Sequence, residues 1–207
     1  MTEQQVMEQI QRGFGPVIAT ARTGTSVSAA FMAALVANES SGNVEERLFA
    51  SRFEKGVLKK VVLAALGLEA FSDPSLSRPI EQQEWLLEAD YAIDTRRPAN
   101  SSFMLAGLEY LKKLATSWGP MQLMGWHARE WNVPLEEFRR CETHFQHARV
   151  LILHFARKYE LRADRDFLQL FRCWNTGVPS GRPTFDPNYV ANGLRRLKLY
   201  QQLEQAA

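Results

Sequence analysis

Two cysteines in 207 residues, Cys141 and Cys173, are too few to staple a fold with a disulfide framework. Neither has a Cys or His neighbour at the spacing of a zinc site. They read as buried free thiols, each a small hydrophobe, with a single bridge between them left open. The sequence also lacks any uninterrupted apolar run near the ~18 residues of a membrane span. The opening stretch MTEQQVMEQIQRG has neither the basic nor the apolar region of a secretion signal. A soluble chain that accumulates in the cytoplasm is the expectation. Charge of one sign is missing too: 25 basic and 23 acidic residues leave +2, spread evenly, which gives no footprint for nucleic acid. There is no internal repeat and no low-complexity tract.

What is present is an ordinary apolar content, 45%, with 11% aromatic residues, enough for one compact domain with a small appendage. Hydrophobic residues recur at helical spacing almost throughout, and no run alternates convincingly at period two. The predicted class is therefore all-α, or α with a minimal β element. Helices are expected over 3–12, 26–38, 53–66, 79–93, 101–114, 164–174 and 187–204. The longest is predicted to start at Pro134, where Phe138, Cys141, Phe145, Ala148, Ile152 and Phe155 mark one face for about 25 residues. His144, His147 and His154 fall within it and read as helix residues rather than ligands, so no metal and no cofactor is expected. Residues 1–25 are an N-terminal arm or helix in this reading, and residues 26–207 the main domain.

One acid stands out from this pattern. Met32, Leu35 and Val36 precede Glu39 at helical spacing, so its carboxylate continues an apolar face and then meets a Ser-Ser-Gly turn. A carboxyl held against apolar side chains at a cleft rim is expected to keep its proton and to donate it to a leaving oxygen, which cleavage of a glycosidic bond requires. Further along lies ATSWGPMQLMGWHA, read as a tight turn at Ser117 and Gly119. Gln122 can hydrogen-bond sugar hydroxyls or amides there, while Trp118 and Trp126 cover sugar faces. Met121 and Leu123 read as core.

These segments together resemble the lysozyme-like superfamily of goose-type lysozymes and soluble lytic transglycosylases, and most closely the phage-endolysin-type N-acetylmuramidases. The matching stretches are ANESSGN (37–43), SRFEKGVL (51–58), TSWGPMQLMGWH (116–127) and FRCWNTG (171–177), in the family's order. The resemblance implies a single lysozyme-like helical domain whose substrate is bacterial peptidoglycan, cut at the β-1,4 bond between N-acetylmuramic acid and N-acetylglucosamine. It implies Glu39 as the acid, Glu54 as the second catalytic carboxylate, and Ser117, Trp118, Gln122, Trp174 and Asn175 as glycan contacts. A monomer acting on glycan strands after release or delivery by another system is the accompanying expectation, with no nucleic acid and no membrane span.

The chain also departs from that family. Trp174 stands where the family has a tyrosine, so no hydroxyl is available there, and Thr176 is inserted before Gly177. The stretch between the first two motifs is short. If Glu54, or else Asp90 or Asp94, activates water, the enzyme is an inverting hydrolase. If none does, attack by the muramic 6-hydroxyl makes it a lytic transglycosylase. A non-catalytic glycan-binding protein and a chitin-active enzyme are the other readings.

Overall fold

The computed structural model describes residues 1–40, 51–54, 57, 58 and 109–206. The helix expected over 79–93, most of those expected over 53–66 and 101–114, and the carboxylates Asp90 and Asp94 lie outside the described residues. In chain order the described elements are α1 (Glu3–Arg22), α2 (Ala29–Ser40), β1 (Ser51–Phe53), β2 (Thr116–Trp118), β3 (Leu123–Met124) and α3 (Gly125–Glu130). A 3-10 turn (Leu135–Arg139), α4 (Cys141–Lys158), α5 (Phe167–Thr176) and α6 (Tyr189–Ala206) follow. The protein is thus mostly helical with one small sheet, and among the described residues no helix is long and apolar enough to cross a membrane. Two compact units emerge. Of the described residues, 1–40, 119–122 and 139–206 form the first, and 51–54, 57, 58, 109–118 and 123–138 the second.

In the first unit α1 opens with a capping box: Thr2 Oγ1 accepts from the Gln5 amide at 3.3 Å, and Gln5 Oε1 accepts from the Thr2 amide at 2.8 Å. The helix expected over 3–12 runs ten residues further, to Arg22, through Gly13, Gly15 and Pro16. The apolar face explains this, because Met7, Ile10, Phe14, Ile18 and Ala21 continue at helical spacing and all are buried. Their burial outweighs the local cost of two glycines and a proline. The segment expected as an N-terminal arm or helix is a packed helix, in contact with α2, α4 and α6.

Helix α2 is buried on every side from Ala29 to Ala37. A helix apolar all round belongs in a core, and its alanines let α1 and α6 approach closely. Phe31 extends this core to α5, with its ring 4.7 Å from that of Phe171 and 5.7 Å from that of Phe167. The single long helix expected from Pro134 is instead broken. Arg140, with φ −92° and ψ 129°, is extended and separates the 3-10 turn from α4. The predicted face survives the break, since Phe138, Phe145, Ala148, Ile152 and Phe155 are all buried. Cys141 and Cys173 are both free thiols, the first half-buried and the second buried.

The second unit carries the sheet, in the order β1-β2-β3 and antiparallel throughout. Its register sets Ser51 against Trp118, Arg52 against Ser117, and Phe53 against Thr116. The helix expected to begin at Phe53 is thus corrected: residues 51–53 are a strand, and helical residues appear at 57 and 58, whose amides donate to the Glu54 carbonyl. A three-residue strand offers no alternation to read. Ser117 likewise sits in a strand; the turn is residues 119–122, between β2 and β3.

Candidate functional site

Glu39 lies in the last turn of α2, between buried Ala37 and buried Ser40, and is itself only half-buried. Nine consecutive buried residues hold the helix that presents it, so the position of its backbone is fixed by the core. The carboxylate meets a partner from the far end of the chain: the Tyr189 hydroxyl donates to Glu39 Oε1 at 2.5 Å. Tyr189 is the first residue of α6, and its ring lies edge-on to Phe171, with centroids 6.3 Å apart. Gly193, one turn on, makes that packing possible. A Cβ there would come within 2.6 Å of the Phe171 ring.

Burial is the main reason that the Tyr189 phenol is pushed well above its usual value of 10.0, and the adjacent Glu39 carboxylate adds to it. The phenol is therefore a neutral donor across the physiological range. Because it donates to Oε1, a proton carried by Glu39 belongs on Oε2, which gives the acid a fixed orientation. Around the same helix end, Asn38 Nδ2 donates to the Tyr189 carbonyl at 2.9 Å. Arg196 Nη1 donates to Asn38 Oδ1 at 2.8 Å and to the Ala37 carbonyl at 3.1 Å.

Tyr189 was not among the residues expected at the site. The sequence reading looked for a hydroxyl at position 174 and found Trp174; the hydroxyl comes instead from the start of the next helix. The available signal was a tyrosine two residues after Pro187, at a predicted helix start, but helical periodicity counts tyrosine as one more apolar residue. Trp174 is half-buried and Asn175 exposed in the last turn of α5, which ends at Gly177. The Gly177 carbonyl accepts the Tyr159 hydroxyl at 2.8 Å.

The SWGPMQ segment is used differently from the expectation. Ser117 is buried, and its hydroxyl donates to the Arg52 carbonyl at 3.2 Å, tying β2 to β1. Half-buried Trp118 donates its indole N–H to the Lys113 carbonyl at 3.2 Å. Gln122 has φ +53° and turns its side-chain amide back onto the Gly119 carbonyl at 2.8 Å. The Met121 amide donates to Nε2 of fully buried His144 at 3.1 Å, which makes that histidine a turn anchor. At Gly125 a Cβ would stand 2.1 Å from the Lys113 carbonyl oxygen, so only glycine fits. Ser117 and Gln122 thus each spend a hydrogen bond on backbone, Ser117 on β1 and Gln122 on the turn itself.

Glu54 closes β1: its amide donates to the Ala115 carbonyl at 2.9 Å, and its carboxylate is paired with Arg52 Nε at 2.6 Å. The expected residues divide between the units: Glu39, Gln122, Trp174 and Asn175 fall in the first, and Glu54, Ser117 and Trp118 in the second. No family model, no curated protein and no solved structure matches the chain.

Proposed function

We propose that the protein is a peptidoglycan-cleaving N-acetylmuramidase, with Glu39 as the general acid at the muramic acid–glucosamine β-1,4 bond. The observation that carries this reading is the half-buried Glu39 carboxylate at the end of a buried helix, oriented through Oε1 by the buried Tyr189 hydroxyl. The order of the four motifs in the sequence supports it. In the proposed step Glu39 Oε2–H gives its proton to the glycosidic oxygen as the C1–O bond breaks, and positive charge develops on the muramic ring. Tyr189 keeps its proton and continues to donate to Oε1, stabilising the carboxylate formed when the proton leaves. Half-buried Trp174, in the same unit as Glu39, supplies indole surface on which a sugar face can stack, and exposed Asn175 an amide. The enzyme reaches the wall after release or delivery by another system.

Completion of the reaction has two forms. Water activated by Glu54 gives a reducing muramic end, whereas attack by the muramic 6-hydroxyl, with Glu39 taking back the proton, gives a 1,6-anhydro end.

The test is digestion of purified peptidoglycan, with mass analysis of the products. Glu39→Gln, nearly isosteric and without a transferable proton, is expected to lose about 10²- to 10⁴-fold in rate. Retention of more than about a tenth of the activity removes Glu39 as the acid. Cleavage of chitin oligomers but not of peptidoglycan moves the proposal to a chitinase, and glycan binding without cleavage to a lectin-like protein.

A further inference from the structure

We infer that Arg196 is a positioning residue for Glu39, held in turn by Glu3 at the start of α1; the inference rests on reading Glu39 as the acid. Arg196 projects from α6 with its side chain only 20% exposed, and it uses three bonds. Nη1 reaches the Ala37 carbonyl and Asn38 Oδ1, and Nε reaches Glu3 Oε1 at 3.3 Å. Ala37 and Asn38 are the two residues immediately before Glu39. The Ala37 carbonyl lies in the last turn of α2, where a guanidinium complements the helix dipole.

Asn38 completes a closed circuit. Its Oδ1 accepts from Arg196 while its Nδ2 donates to the backbone of Tyr189, and the hydroxyl of the same tyrosine reaches Glu39. Arg196 and Tyr189 lie on one helix two turns apart, about 10 Å along its axis. They grip α2 at successive residues, one through the side chain and carbonyl before the acid and the other through the acid itself. Glu3 binds both Arg195 and Arg196, so the fork of Arg196 is oriented from behind. A lysine cannot reproduce this: one ammonium has no fixed fork with which to bond two acceptors while also facing a carboxylate.

Two readouts test the inference, kcat and KM on peptidoglycan and the carbon-13 resonance of Tyr189 in tyrosine-labelled protein, assigned through Tyr189→Phe. Displacing a catalytic group by about 1 Å costs up to about 10²-fold. Arg196→Met, which keeps the apolar stem, is therefore expected to lower kcat about tenfold or more, change KM less than about twofold, and move the Tyr189 resonance. Arg196→Lys is expected to behave like Arg196→Met. Glu3→Gln is expected to give a smaller loss that disappears in the Arg196→Met background, because Glu3 acts through Arg196. An unmoved Tyr189 resonance with unchanged kcat in folded Arg196→Met or Arg196→Lys overturns the inference. If Arg196→Met does not fold, Arg196→Lys and Glu3→Gln decide by the same criteria. Unaltered protein that leaves peptidoglycan intact overturns the functional reading instead; the Tyr189 resonance alone then decides positioning, a shift supporting it and no shift refuting it.

Discussion

The end of α2 and the turn between β2 and β3 each hold polar side chains away from water, but they satisfy them differently. In the turn the side-chain bonds of Gln122 and Trp118 are local, to Gly119 three residues away and to Lys113 five away, while Met121 and Ser117 reach His144 and Arg52 across 23 and 65 residues. At the helix end they are remote, with Tyr189 reaching Glu39 across 150 residues and Arg196 reaching Ala37 across 159. Local bonds hold a shape that the segment needs for itself. Remote bonds bring an acid, a phenol and a guanidinium to one place at the cost of loop closure, which is the pattern of a site assembled by the fold.

Removing the remote hydroxyl puts that contrast to its hardest test. A hydrogen bond to a charged group is worth about 1.5–3 kcal/mol, so Tyr189→Phe is expected to reduce kcat by about 10- to 150-fold. The ring and its contact with Phe171 remain, so the loss of folding stability should be limited to that one bond. A variant with full activity and a lowered melting temperature would make the pair structural and erase the distinction between the two regions.

Next come two glycines that allow close packing, one near each region. Overfilling a packed site costs about 1–3 kcal/mol, and Gly125→Ala is expected at the upper end because its clash is with the Lys113 backbone. Gly193→Ala meets a ring that can tilt, so it is expected to cost less stability and, by shifting Phe171 against Tyr189, to lower kcat as well. Thermal melts and kinetics on both variants check the order. Equal activity losses per folded molecule would show that neither glycine is tied to the acid.

Much of this was legible in the sequence, and the failures have a common cause. The helical class, the apolar stripe of α4 and the buried run before Glu39 follow from periodicity within single segments. The strand at 51–53 was missed because three residues carry no period. The end of α1 was misplaced because the packing that carries it through Gly13 and Pro16 is tertiary. Tyr189 was missed because its ring and hydroxyl serve different ends, the ring packing on Phe171 and the hydroxyl facing Glu39. Ser117 and Gln122 were expected to meet glycan, and a motif does not say that the same side chains also bond backbone.

Gln122 sharpens that last point with a smaller effect. Gln122→Ala removes the bond to the Gly119 carbonyl, which is expected to cost about 1 kcal/mol of stability. With a purely local role, kcat/KM per folded molecule should stay within about twofold. A tenfold fall with an unchanged melting temperature would return Gln122 to the glycan contacts.

The smallest expected effect is a slope rather than a loss, and it belongs to the first unit. Burial pushes the Cys173 thiol up to about 12 and the Cys141 thiol up to about 11, from 9.0, and the Tyr200 phenol from 10.0 up to about 12. Each group binds its proton more tightly when folded, so from about pH 9 upward the unfolded chain holds fewer protons and stability falls as pH rises. The contribution is complete below pH 9.0 and is lost by about 12 for Cys173. Glu3 works in the opposite sense: its bond to Arg195 lowers its pKa from 4.5, so its contribution is present above that value and fades as pH drops. Denaturant melts at pH 8, 9.5 and 10.5 should therefore show a decline that Cys173→Ala makes shallower, by at most about 1.4 kcal/mol per pH unit, on top of any uniform loss from the missing sulfur. A parallel decline in both proteins would mean that the thiol ionises equally easily folded and unfolded, and that its burial in α5 does not hold its proton.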